Sequence, residues 1–165
     1  MNRPPHPQAT AFTLVEVTIA LGVAAFCLLA VFGLMQSGLM SEKATIGQTV
    51  ANDVLSTLFA DLRSTPATNP VSQVFQVSLA DQDLAKAQTL YFTESLKPTG
   101  ALGTPPTADS RYRATIGIKA PAAPGTAPTQ ARIVVSWPAA SDPDPKIWPT
   151  RAAGSVEVLT ALDRS

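Results

Sequence analysis

The sequence predicts an α+β fold: one long amino-terminal helix, half of it membrane-like, packed on a small antiparallel sheet of four to five strands. Three observations carry that prediction. Val17–Met35 is a 19-residue run without a charge. Between Ser37 and Arg63 polar residues return at helical spacing. After Pro70, apolar and polar residues alternate in short runs. The connections between these runs are rich in proline and glycine, and none has the length or period of a helical crossover, so the sheet should be antiparallel.

At about 1.5 Å per residue the uncharged run is roughly 28 Å long, the thickness of a bilayer's hydrocarbon core. Gly22 and Gly33 within it are ordinary for a membrane helix. Between Arg3 and Glu42 the only charged residue is Glu16. A carboxylate in a membrane helix costs on the order of 2.5–3.5 kcal/mol at the bilayer centre and less near an interface, which makes Glu16 a functional candidate. Residues 1–11 (MNRPPHPQATA) are polar, and the switch to apolar sequence comes after them. A secretory signal places its cleavage site after the hydrophobic region instead. With Arg3 and the free amine before the run, the positive-inside rule puts this leader in the cytoplasm and the rest of the chain outside it.

The residues Ala11-Phe12-Thr13-Leu14-Val15-Glu16, followed by the apolar run, resemble the type III signal of prepilins. In that family a peptidase cuts just before Phe and methylates the new amine. The resemblance therefore implies processing between Ala11 and Phe12, with Ala11 standing where glycine is commoner. It also implies that Glu16, one helical turn from the new amine, sets subunit register during assembly. The partners implied are a prepilin peptidase/methylase, other pilin-like subunits and the inner membrane, with the head periplasmic or extracellular. The order long helix, small sheet, tryptophan-ended strand, last strand is similar to minor pilins and type II secretion pseudopilins. It looks most like the types called PilV or pseudopilin I and the cassette-encoded pilin-like proteins of Verrucomicrobia. Many pilins carry a proline midway along the membrane helix where this chain has Gly33.

Beyond the membrane-like half, Ile46, Val50, Val54, Leu58 and Leu62 recur every four residues, with Ala51, Leu55 and Phe59 as a neighbouring row. They predict an apolar stripe flanked by Glu42, Lys43, Asn52, Asp53, Asp61 and Arg63. Gly38 and Gly47 read as weak points, and Ser64-Thr65-Pro66 as the stop. Residues 13–64 would then form one helix on the order of 75 Å long. The expected organisation is a leader at 1–11, a transmembrane or assembly helix at 12–36, its amphipathic continuation at 37–65 and a β-rich head at 66–165.

In the head, alternation predicts a strand over 72–80 with Phe75, Val77 and Leu79 on one face, and a weaker one over 90–96. Tyr112, Ala114, Ile116 and Ile118 alternate with polar neighbours, as do Ile133, Val135 and Trp137, and then Val156, Val158, Thr160 and Leu162. One sheet face should cover the helix stripe and the other should meet solvent. Arg111, Arg113, Lys119 and Arg132 are expected on that solvated face, where they discourage edge pairing; the alternative is that they line up there as an anion patch.

Composition narrows the function. The chain has 165 residues, with 12 basic residues against 12 acidic, which points away from a nucleic-acid surface. Twelve of the fifteen prolines follow Ser64, separating a helical part from a proline-cut head. Cys27 is the single cysteine and lies in the apolar run behind Phe26, so it reads as a small apolar residue. The one histidine, His6, falls in the leader, and no HExxH, CxxC, P-loop or GxGxxG occurs. No enzyme activity, cofactor or metal is therefore expected. Asp142 and Asp144 fall short of the six to eight oxygens calcium takes and read as part of a proline-braced loop. The alternative reading is a solitary single-pass anchored binding protein with an exported β-domain.

Overall fold

A computed structural model describes residues 13–122 and 127–163. Helix α1 spans Leu14–Ser64, 51 residues without a proline, and stops just ahead of Pro66 as the sequence predicts. Strands β1 (Gln82–Phe92), β2 (Tyr112–Lys119), β3 (Thr129–Trp137) and β4 (Gly154–Leu162) follow, with a 3-10 turn at Ala139–Ser141. The chain divides into two compact units, Met1–Glu42 and Lys43–Ser165.

In the first unit, α1 presents apolar side chains that the protein leaves exposed from Leu14 to Met35. In the second unit, the sheet has the order β1-β2-β3-β4, each strand antiparallel to the next. Ala51, Val54, Leu58 and Leu62 from the helix stripe are almost completely buried, and Val50, Leu55 and Phe59 flank them. They meet Leu90, Phe92, Tyr112, Ala114, Ile116, Ile118, Ala131, Ile133 and Val135, the inward rows of β1, β2 and β3. The predicted inward rows of β2, β3 and β4 hold. Burying each leucine of the stripe contributes about 1.5–3 kcal/mol.

Gly47 is a point of close approach rather than a weak point. A Cβ there would lie 2.7 Å from the Trp137 indole nitrogen, and one on Gly154 would lie 2.3 Å from the same ring. The indole is therefore held between α1 and the start of β4, with Tyr112 at a ring-centroid distance of 6.2 Å.

Residues 72–80 are not a strand. Asp61, expected beside the stripe, is buried and accepts the N–H groups of Val74 (2.9 Å) and Phe75 (3.1 Å). The Ser72 hydroxyl accepts the Val77 N–H at 3.1 Å, and Gln76 turns to φ 57. Donors that a ladder needs are taken locally, so the segment turns, although Val77, Leu79 and Phe75 still reach the core. The strand predicted at 90–96 instead begins at Gln82 and ends at Phe92, because Thr93–Lys97 closes a turn with Leu96 at φ 63. Gln88 clamps Ser78, accepting from its N–H at 2.7 Å and donating to its carbonyl at 2.9 Å.

Candidate functional site

Two places concentrate polar groups where burial or apolar surroundings make them costly. The first is the start of α1. Thr13 precedes the helix, and its hydroxyl accepts the Glu16 N–H at 3.2 Å, while its carbonyl accepts the Val17 N–H at 3.2 Å. This is the arrangement of an N-cap, and a glutamate three residues on completes the sequence pattern of a capping box. Glu16 thus stands in the first turn, where the helix dipole favours a negative charge. Its side chain is exposed, as are the apolar residues that follow. Leu14–Met35 is long and apolar enough to cross a membrane, with a mean hydropathy of 2.6. Ala11 and Phe12, expected to flank a processing site, lie outside the described residues, as does His6.

The second place is the outer face of the sheet. Arg113 is completely buried there, contrary to the expected solvated face, and β2 is covered on both sides from Tyr112 to Ile118. The cover is the proline-rich segment 138–153. The Arg113 guanidinium donates to the backbone carbonyls of Asp142 (2.6 Å), Asp144 (2.9 Å) and Ile147. Beside it, the Thr89 hydroxyl donates to the Pro145 carbonyl at 2.8 Å and the Tyr91 hydroxyl to that of Pro143 at 3.3 Å. Trp148 donates its indole N–H to Ala85 at 2.9 Å, and the Arg132 guanidinium stacks 4.2 Å from the centre of its ring. Gly117 makes room for this layer, since a Cβ would lie 2.2 Å from the Leu84 carbonyl and 2.9 Å from Trp148.

Asp142 closes the segment on itself. Its carboxylate accepts the N–H groups of Thr150 (3.0 Å) and Arg151 (2.8 Å) and the Thr150 hydroxyl (3.2 Å). Burial pushes this carboxyl up. The Arg151 and Thr150 donors, with the Arg113 charge nearby, outweigh that effect and hold it below the usual aspartate range. Asp144 accepts the Lys146 N–H at 2.9 Å. These oxygens therefore serve the loop's own backbone. Burial lowers the Arg113 pKa and raises that of Tyr91, the ordinary signs for a cation and a phenol taken out of water.

Arg111 and Lys119 stay exposed as predicted, and Arg132 pairs with Glu157 at 2.7 Å. The four basic residues therefore do not form one patch. A shallow open groove of about 190 Å³ lies between segment 138–153 and β4, lined among others by Arg132, Trp148, Thr150, Ser155 and Glu157. Sequence reasoning missed Arg113 as an anchor because strict alternation on β2 reads as one wet face. The signal available was the apolar and proline content of the segment that follows β3. No family model matches the chain, and no curated protein or solved structure shows significant similarity to it.

Proposed function

We propose that this chain is a non-enzymatic structural subunit, a minor pilin or pseudopilin, of a type IV pilus or type II secretion-like filament. A prepilin peptidase would remove residues 1–11 and methylate the amine of Phe12. The apolar half of α1 would hold the chain in the inner membrane, head outside the cytoplasm, and then pack against the same helix of other subunits. The observation that carries this reading is the exposed apolar surface of Leu14–Met35, interrupted by the single carboxylate of Glu16 one turn from its start. Such a surface requires lipid or other helices around it. A carboxylate there is costly unless a positive group meets it, and the new amine of a neighbouring subunit supplies one.

The capped helix start sharpens the test. Glu16→Gln keeps the capping pattern but removes the charge, whereas Glu16→Ala removes both. The proposal expects both variants to insert in the membrane and both to be lost from sheared filament fractions. Normal incorporation of Glu16→Gln would reduce Glu16 to a helix cap and remove charge pairing from the mechanism.

A further inference from the structure

Two polar atoms under segment 138–153 are left over once its hydrogen bonds are made. The outer row of β2 runs Arg113, Thr115, Gly117, and the register sets Ser136 opposite Arg113, with Thr89 and Val134 opposite Thr115. Directly opposed residues of an antiparallel pair share a face, so Ser136, which is buried, stands in the same layer. Arg113 commits both terminal nitrogens to the carbonyls of Asp142, Asp144 and Ile147. Its Nε is buried and has no hydrogen-bond partner among the described residues, and neither has the Thr115 hydroxyl. The path of the segment places these two atoms together. Thr89, across from Thr115, holds the Pro145 carbonyl, which lies between the Asp144 and Ile147 carbonyls that the guanidinium takes. Trp148, the next residue, packs on Gly117. The arginine side chain therefore extends along β2 toward Thr115, so that Nε and the hydroxyl are neighbours.

We propose that one water molecule is bound beneath segment 138–153, accepting from Arg113 Nε and bonded to the hydroxyls of Thr115 and Ser136. A buried donor or hydroxyl without a partner costs its full desolvation, and nearly all such groups in folded proteins find a protein or water partner. Three polar groups at one point match the two to four that an internal water takes. The groove beside β4 reaches Val134, which pairs with Thr115, so solvent approaches this layer from one side. Charge decides against an anion on the same donors. The Asp142 carboxylate already lies within electrostatic reach of Arg113, and a second negative charge beside it would be repelled. The water makes Arg113 a two-sided joint. Its terminal nitrogens hold the segment, and its Nε is tied through the water to β2 and β3. The site does not rest on the filament reading, since it needs neither the cut before Phe12 nor any partner for α1.

Water-selective nuclear Overhauser spectroscopy on the nitrogen-15-labelled full chain, in detergent and chloride-free buffer, tests it. The expected result is a cross-peak from water to the Arg113 Nε proton with the sign of a long-lived bound molecule. It is kept in Thr115→Ser, which retains the hydroxyl, and is at least fivefold weaker in Thr115→Val. Thermal melting supplies an independent sign. If the Thr115 hydroxyl has no partner, exchange for apolar valine of the same shape leaves the melting temperature unchanged or raises it. If the hydroxyl holds the water, Thr115→Val lowers the melting temperature by roughly 3–8 °C. No cross-peak at Arg113 in the parent chain, an undiminished one in Thr115→Val, or a Thr115→Val melting temperature equal to or above the parent's would overturn the proposal.

Discussion

Leu28 and Leu58 belong to the same helix, yet Leu28 is 59% exposed and Leu58 is fully buried. The contrast holds along both halves of α1. From Leu14 to Met35 apolar side chains cover every face, so no single stripe exists for a head to bury. From Ala51 to Leu62 the apolar residues fall on one side, and the sheet of the same unit covers them. A one-sided stripe finds its partner within the chain, whereas an all-round apolar surface needs partners from outside it.

Core truncation breaks this comparison most sharply. Leu58→Ala is expected to cost the head about 2–5 kcal/mol, while Leu28→Ala leaves head stability unchanged. Chemical denaturation followed by near-ultraviolet circular dichroism measures both. Equal losses would mean that the two halves are not different in kind.

Arg113→Ala comes next, at about 2–4 kcal/mol, because three carbonyls lose a charged donor and segment 138–153 loses its anchor. Trypsin should then cut at Lys146 at least tenfold faster, while the helix side of the core stays protected. Unchanged cleavage would show that Thr89, Tyr91 and Trp148 hold the segment without the arginine.

The glycines of α1 sharpen the contrast further. Gly47→Ala forces its Cβ onto Trp137 and is expected to cost about 1–3 kcal/mol. Gly38 has nothing within 4 Å of its Cβ position, so Gly38→Ala should leave the melting temperature of the head where it is. Thermal melts of the two variants measure the difference directly.

The smallest effect is in pH. A carboxyl whose folded pKa is depressed contributes stability above its unfolded pKa, and that contribution is lost as pH falls through the folded value. Docking of segment 138–153 should therefore be constant from pH 7 to 5 and loosen only below about pH 3.9, the ordinary aspartate value. The Arg151 amide chemical shift reports the transition, which Asp142→Asn should abolish.

The sequence made α1 legible to its last residue, since periodicity and Pro66 mark its course and end. The inward rows of β2, β3 and β4 were equally readable, because each has one face fixed against the stripe. The outer layer was not. Arg113 and Asp142 look like solvent-facing charges in a linear reading, and only the return of segment 138–153 over β2 buries them. Residues 72–80 alternate as a strand would, but Asp61, from the end of α1, captures the donors. At the helix start the motif was plain, and the N-cap role of Thr13 emerged only from the hydrogen bond it makes to Glu16.

Under the proposed function, the apolar half of α1 would serve partners outside the chain, as that of a processed pilin-like subunit would. Intact-mass measurement of the protein purified from membranes of its native cells tests it most directly. The account predicts a chain that begins at N-methylated Phe12, lacking residues 1–11. A mass that retains Met1 to Ala11 would contradict it.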